Sequence, residues 1–196
     1  YGEDTADFLE LIIVGDQTVT IALYTIELFD GDTQQIYDII NLGDVAEQMH
    51  PGERLVIGPP SIANAIGENS VGVVVPGDFL QNGGTNGDAV RVIRNGFEIM
   101  DAVSYEAPVL GASEGGGHIG FDSDLINEGL SFGRCPDSLD TDNNASDFNS
   151  GVPTPGLPND CPAESVPTFW DDVQPIFMTW CGSCHAGDSV QGCAGQ

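Results

Sequence analysis

The chain has no lysine, and its four basic residues, all arginines, face 31 aspartates and glutamates, giving a formal net charge of −27. One partner per base would leave most of these acids without a cation. An excess of this size repels polyphosphate wherever salt leaves the field unscreened, so nucleic acid and anionic membrane surfaces are poor partners for it. Cations, basic proteins and metal surfaces remain. Self-repulsion also opposes the compact state unless salt or bound cations screen it, which suits a saline or extracellular setting.

Long apolar runs are missing as well. No stretch of about 18 apolar residues occurs, which excludes a membrane-spanning helix within this sequence. The chain opens at Tyr1 with no export signal in view, and a signal removed earlier is compatible with that opening. There is no Ser/His/Asp order with a nucleophile elbow. Gly115-Gly116-Gly117 lacks the following helix that phosphate cradling needs. His118, and His50 next to Pro51, have no cysteine or second histidine at ligand spacing and read as solvent-facing loop residues. The sequence therefore offers no catalytic residue, and points to an electron-transfer or binding protein more than to a catalyst.

What is present is an ordinary globular proportion of apolar residues, about half the chain when glycine is counted. Short runs rich in β-branched and aromatic residues alternate with Gly, Asn, Asp and Pro between residues 7 and 110, which predicts strands at Phe8 to Val14, Val19 to Phe29, Gln34 to Ile40, Arg54 to Ile57, Val71 to Val75, Ala89 to Ile93 and Phe97 to Tyr105. Seven strands in one domain predict a sandwich. Asn95-Gly96, between two such runs, predicts a two-residue hairpin, because both residues tolerate positive φ. Pro51-Gly52 predicts a turn needing a fixed φ followed by a flexible residue.

Residues 111 to 163 are rich in Gly, Ser, Asn and Asp, with isolated anchors such as Phe121, Leu125, Leu130, Phe132, Leu139 and Phe148, and read as a loop-rich segment closing the sandwich. Cys135 and Cys161, each followed by proline, read as a disulfide closing a loop of about 25 residues and contributing roughly 3 kcal/mol; two free thiols are the alternative. Within Asp140-Thr141-Asp142-Asn143-Asn144-Ala145, the residues Asp140, Asp142 and Asn144 have the i, i+2, i+4 oxygen spacing of calcium loops. The EF-hand form fails, because Ala145 stands where the sharp turn needs Gly and Gly151 where it needs Glu. Asx turns satisfying loop backbone are the favoured reading, and calcium is the minor one.

With the strands placed, the order of local motifs resembles the lamin-tail domain in its bacterial secreted form. The matching pieces are Phe8-Leu9-Glu10-Leu11, Tyr24-Thr25-Ile26-Glu27-Leu28, Pro51-Gly52-Glu53-Arg54-Leu55-Val56-Ile57, Gly87-Asp88-Ala89-Val90-Arg91-Val92-Ile93, Asp101-Ala102-Val103-Ser104-Tyr105, Ser131-Phe132-Gly133-Arg134 and Thr154-Pro155-Gly156-Leu157-Pro158-Asn159. Ile12-Ile13-Val14 departs from the pattern, replacing the polar residue that usually follows the first Glu-Leu pair. The resemblance implies an immunoglobulin-like β-sandwich and carries over no catalytic residue.

After Pro162 the composition turns apolar and aromatic, with Val166, Phe169, Trp170, Val173, Ile176, Phe177 and Trp180 leading to Cys181-Gly182-Ser183-Cys184-His185. This is the c-type haem attachment pattern. Two thiols one helical turn apart can each add to a haem vinyl group, while the adjacent histidine lies under the iron. The stretch Phe169 to Phe177 resembles the helix entering the attachment site of bacterial cytochrome c domains. An ordinary disulfide or a thioredoxin-like pair is the alternative, although no βαβ pattern surrounds the cysteines. A zinc knuckle would have only Cys193 to add.

The eleven residues after His185 hold no Met or His for a sixth ligand, so the expectation is a cytochrome module whose second half lies beyond residue 196. The sequence thus predicts an all-β chain: a sandwich domain over 1–160, a linker at 161–165, and the start of a haem domain over 166–196. Cys181 and Cys184 are expected to anchor haem c, and His185 to be the axial iron ligand. Thioether attachment and a Cys135/Cys161 disulfide both place the protein outside the cytoplasm. Its redox partner is expected to be basic. The alternative is a structural or adhesion module with a disulfide-stapled tail and no haem.

Overall fold

The structure is a computed structural model and describes residues 6–81, 85–115, 117–120 and 129–161, together with Gln174 and Ile176. The chain divides at Cys161, and Tyr1–Cys161 is one compact unit. The described part of this unit is mostly β.

Nine strands are described: β1 (Leu9–Ile12), β2 (Tyr24–Asp30), β3 (Gln35–Asn41), β4 (Arg54–Gly58), β5 (Ser70–Val74), β6 (Asp88–Arg94), β7 (Glu98–Tyr105), β8 (Ser131–Arg134) and β9 (Phe148–Gly151). Two one-turn helices accompany them, α1 (Pro60–Ala63) and α2 (Asn144–Asp147). The strands form a three-stranded sheet in the order β1-β4-β5, a four-stranded sheet in the order β3-β2-β6-β7, and the pair β8-β9. Pairing is antiparallel except between β4 and β5, whose parallel register runs from Arg54↔Ser70 to Gly58↔Val74. A parallel neighbour needs a crossover, and the chain makes it through α1, which starts on Pro60 with its φ already set for a helix.

Alternation decides which side chains go inside. On β2, Ile26 and Leu28 point inward, and on β4, Leu55 and Ile57 meet them, joined by Ile21, Leu42, Met49, Val90, Tyr105 and Ile119 in one core between the two larger sheets. All of β4 is buried, as expected of a strand that is central in its sheet and covered on both faces. A smaller cluster of Phe29, Ala89, Val109 and Ala112 seals the outer face of the four-stranded sheet.

All seven expected runs contain strands, with two local differences. The run from Val19 becomes a strand only at Tyr24, because Ile21–Leu23 forms a 3-10 turn in which Leu23 N–H donates to Thr20 O at 3.2 Å. The hairpin between β6 and β7 has Asn95 and Gly96 at φ 54° and 78°, as foreseen, yet pairing resumes at Arg94↔Glu98 and leaves Phe97 as a third loop residue, 80% exposed. The Pro51-Gly52 turn forms as read, with Glu53 N–H donating to His50 O at 3.0 Å and Gly52 at φ 83°.

Candidate functional site

Arg134, the last residue of β8, sits among four carboxylates. Its Nη1 lies 2.7 Å from Asp140 Oδ1 and 3.0 Å from Asp147 Oδ2, and its Nη2 lies 2.8 Å from Asp101 Oδ1 and 3.6 Å from Glu114 Oε2. The guanidinium also stacks over the Phe148 ring at 4.8 Å from its centroid. Strand β7 brings Asp101, α2 brings Asp147, and the loops 107–115 and 135–143 bring Glu114 and Asp140. One planar fork with five N–H donors can serve several carboxylates, which a lysine could not do as well.

Asn144, fully buried on α2, ties this centre to the sandwich. Its Oδ1 accepts from Ser104 N–H and Glu114 N–H, both at 3.3 Å, and its Nδ2 donates to Ala102 O at 2.9 Å and Glu114 Oε2 at 3.1 Å. Every donor and acceptor of the amide is spent. Asp147 is equally committed: Thr141 donates from its N–H at 2.8 Å and its hydroxyl at 2.6 Å.

Burial raises the carboxyl of Asp101, with Arg134 opposing, and it raises Glu114, where the neighbouring Asp101 adds to the shift. At Asp147 burial works in the same direction but is outweighed by the bonds from Thr141 and Asn143 and by Arg134, so its carboxyl stays below the usual range. At Arg134 burial works against the charge and loses to the surrounding carboxylates, which hold the guanidinium protonated.

These positions bear on the calcium spacing. Asp140 Oδ1 accepts Asp142 N–H at 3.0 Å, an Asx turn, and receives Arg134, while Asn144 gives both ends of its amide to the sandwich. Asp142 is exposed. One trio of carboxylate oxygens among the described residues does converge, Asp101, Glu114 and Asp140 within 4.8 Å of one another, but the cation placed against them is the chain's own guanidinium. The centre is thus built for charge neutralisation and cross-linking.

A second arginine does similar work on the other sheet. Arg54 on β4 is buried, with Nε 2.9 Å from Glu10 Oε1 and Nη2 2.6 Å from Asp137 Oδ2. With Arg91 on Glu27 and Arg94 on Glu98, the four arginines engage eight carboxylates, more than the one apiece that counting bases had allowed.

Cys135 and Cys161 form the expected disulfide, with Cα atoms 5.4 Å apart, and it joins the end of β8 to the end of the unit. His50 Nδ1 shares a hydrogen bond of 3.0 Å with Thr18 Oγ1. Cys181, Cys184 and His185 lie outside the described residues.

A cavity of about 680 Å³ opens beside this centre, between β1, β7 and the β8-β9 pair, and is lined largely by apolar side chains, among them Leu11, Val103, Phe132 and Phe148. Fold and site together define an acidic, disulfide-closed β-sheet module held by internal arginine clamps. No family model matches the chain, and no curated protein or solved structure matches it either.

Proposed function

We propose that this chain belongs to an exported protein in which a lamin-tail-like, immunoglobulin-like sandwich serves as a docking or adhesion module and is joined to a c-type cytochrome that transfers electrons. The observation that carries the reading is Cys181-Gly182-Ser183-Cys184-His185. In it Cys181 and Cys184 are the covalent anchors and His185 the axial ligand. Haem c, when attached, supplies one-electron redox chemistry at iron.

Two further features of the chain support this reading. The disulfide is of the kind that forms and persists in an oxidising compartment, which agrees with haem attachment outside the cytoplasm. The net charge of −27 favours a basic redox partner, which such a field would steer toward it. No helix among the described residues is long and apolar enough to cross a membrane.

The test is a pyridine haemochrome spectrum of the longest reading frame that contains this sequence, expressed in a host with cytochrome c maturation machinery, alongside a variant carrying Cys181→Ser and Cys184→Ser. A thioether-haem band that disappears in the variant is the expected result. A colourless protein in a host that matures a control cytochrome would overturn the reading in favour of a haem-free binding module.

A further inference from the structure

Where β6 begins, opposite Tyr105 at the end of β7, the chain buries a carboxyl group with no cation beside it. Asp88, the first residue of β6, is 2% exposed, and its Oδ2 has no hydrogen-bond partner. Its Oδ1 accepts only a long bond of 3.4 Å from Gly31 N–H. The groups that face it are acidic or phenolic: Asp30 at the end of β2, Asp32 in the following turn, Glu106 just after β7, Tyr37 on β3 and Tyr105 on β7.

The neighbouring acids are occupied. Asp30 Oδ1 accepts from Asp32 N–H at 2.8 Å and Thr33 N–H at 3.0 Å, and Asp32 Oδ1 accepts from Asn86 N–H at 3.1 Å and Asn86 Nδ2 at 2.8 Å. The arginines are committed to carboxylates elsewhere and there is no lysine. A metal is a poor substitute, because among the described residues the carboxylates that converge at ligand distances are Asp101, Glu114 and Asp140, not these. The remaining counter-charge is a proton.

The backbone around Asp88 is too close to relax. Gly31 N–H donates to Gly87 O at 3.0 Å, and a Cβ at Gly31 would run into the Gly87 and Asn86 carbonyl oxygens. Gly87, at φ 63°, is packed just as tightly against Tyr105 O and Ala107 N. An ionised Asp88 can therefore be solvated only if the β2-β3 turn and residues 85–88 part.

We propose that Asp88 is an acid-closed latch: its carboxyl, neutral in mildly acidic solution, seals the β2-β3 turn against residues 85–88, and its ionisation at neutral pH loosens that end of the sheet. Burial pushes this carboxyl up to about 6, with Glu106, Asp30 and Asp32 adding to the rise and the Gly31 N–H opposing it. A folded-state value above the unfolded one means that the contribution is fully present below the ordinary aspartate range and is lost as pH rises through about 6.

The experiment compares the full chain with Asp88→Asn by urea unfolding at pH 4 and pH 7 in high salt, which screens the general charge repulsion. Asn mimics the neutral acid, so the wild type should match the variant at pH 4 and fall behind it by about fiftyfold in folding equilibrium at pH 7. An equal gap at both pH values overturns the latch. If Asp88→Asn does not fold, a carboxyl-carbon NMR titration of the wild-type chain decides: a midpoint near 6 for Asp88 is expected, and an ordinary aspartate midpoint overturns the proposal.

Discussion

Asn144 and Glu114 are bound to each other twice, the Asn144 amide donating to the Glu114 carboxylate at 3.1 Å while its oxygen accepts the Glu114 N–H at 3.3 Å. This reciprocal pair fixes the 107–115 loop to α2, and Arg134 then closes on Glu114 from β8. Positive charge, amide and carboxylate form one network, so its members should fail together.

Asn144→Ala leaves Ser104 N–H, Ala102 O and Glu114 without their partner in a buried place. A loss of about 2–4 kcal/mol is expected, read by urea unfolding. Asn144→Asp should be worse at neutral pH, since it adds a buried carboxylate beside Glu114 and offers Ala102 O no donor, and acidification should recover part of the loss.

Arg134→Met keeps much of the packing on Phe148 but leaves Asp101, Glu114, Asp140 and Asp147 with no cation. Breaking a partly buried charge network in this way should cost about 3–5 kcal/mol at pH 7. The deficit should shrink as pH falls, because protonating the orphaned carboxylates removes their repulsion. A deficit independent of pH, measured by unfolding at pH 4.5 and 7, would show that packing rather than charge is what Arg134 supplies.

Cys135→Ser with Cys161→Ser should lower stability by about 3 kcal/mol through the freed unfolded chain. The same shift should follow mild reduction of the wild type, and a thermal melt with and without reductant checks it.

The pH profile of the unit should have its maximum on the acid side of neutrality. Glu10, Asp101 and Glu114 are all raised, in each case chiefly by burial, so their contributions diminish as pH climbs through the upper carboxylate range. Asp147 is lowered, so its contribution is present above the ordinary aspartate value and is lost as pH falls below it. Stability should therefore rise as pH falls from 7 until the raised carboxyls are protonated, and fall again in stronger acid.

The strands of the sandwich were legible because their signal is local: β-branched runs bounded by Gly, Pro and Asn, as at Arg54 to Ile57 between Pro51-Gly52 and Pro59-Pro60. Strands β8 and β9 lie in the segment read as loop-rich, since Ser131–Arg134 and Phe148–Gly151 are four residues each and carry one large apolar side chain apiece. The parallel pairing of β5 with β4 was also hidden, because partner choice depends on where the crossover lands rather than on the strand's own composition. The disulfide could be read from isolated cysteines, whereas the Arg134 centre could not. Counting charges gives each base one partner, and only the fold shows a fork of donors with carboxylates from β7, α2 and two loops around it.

Glu10 on β1 accepts the Gly156 N–H at 2.6 Å, across a separation of 146 residues. The first strand of the unit is thus tied to nearly its last segment, by a bond that cannot form until about the whole unit is in place. A chain threaded through a membrane from its N-terminus would deliver β1 long before its anchor arrives. β1 can pair with β4 as soon as Arg54–Gly58 has followed it, so what arrives last is the tie from Glu10 to Gly156 and not the strand's own pairing.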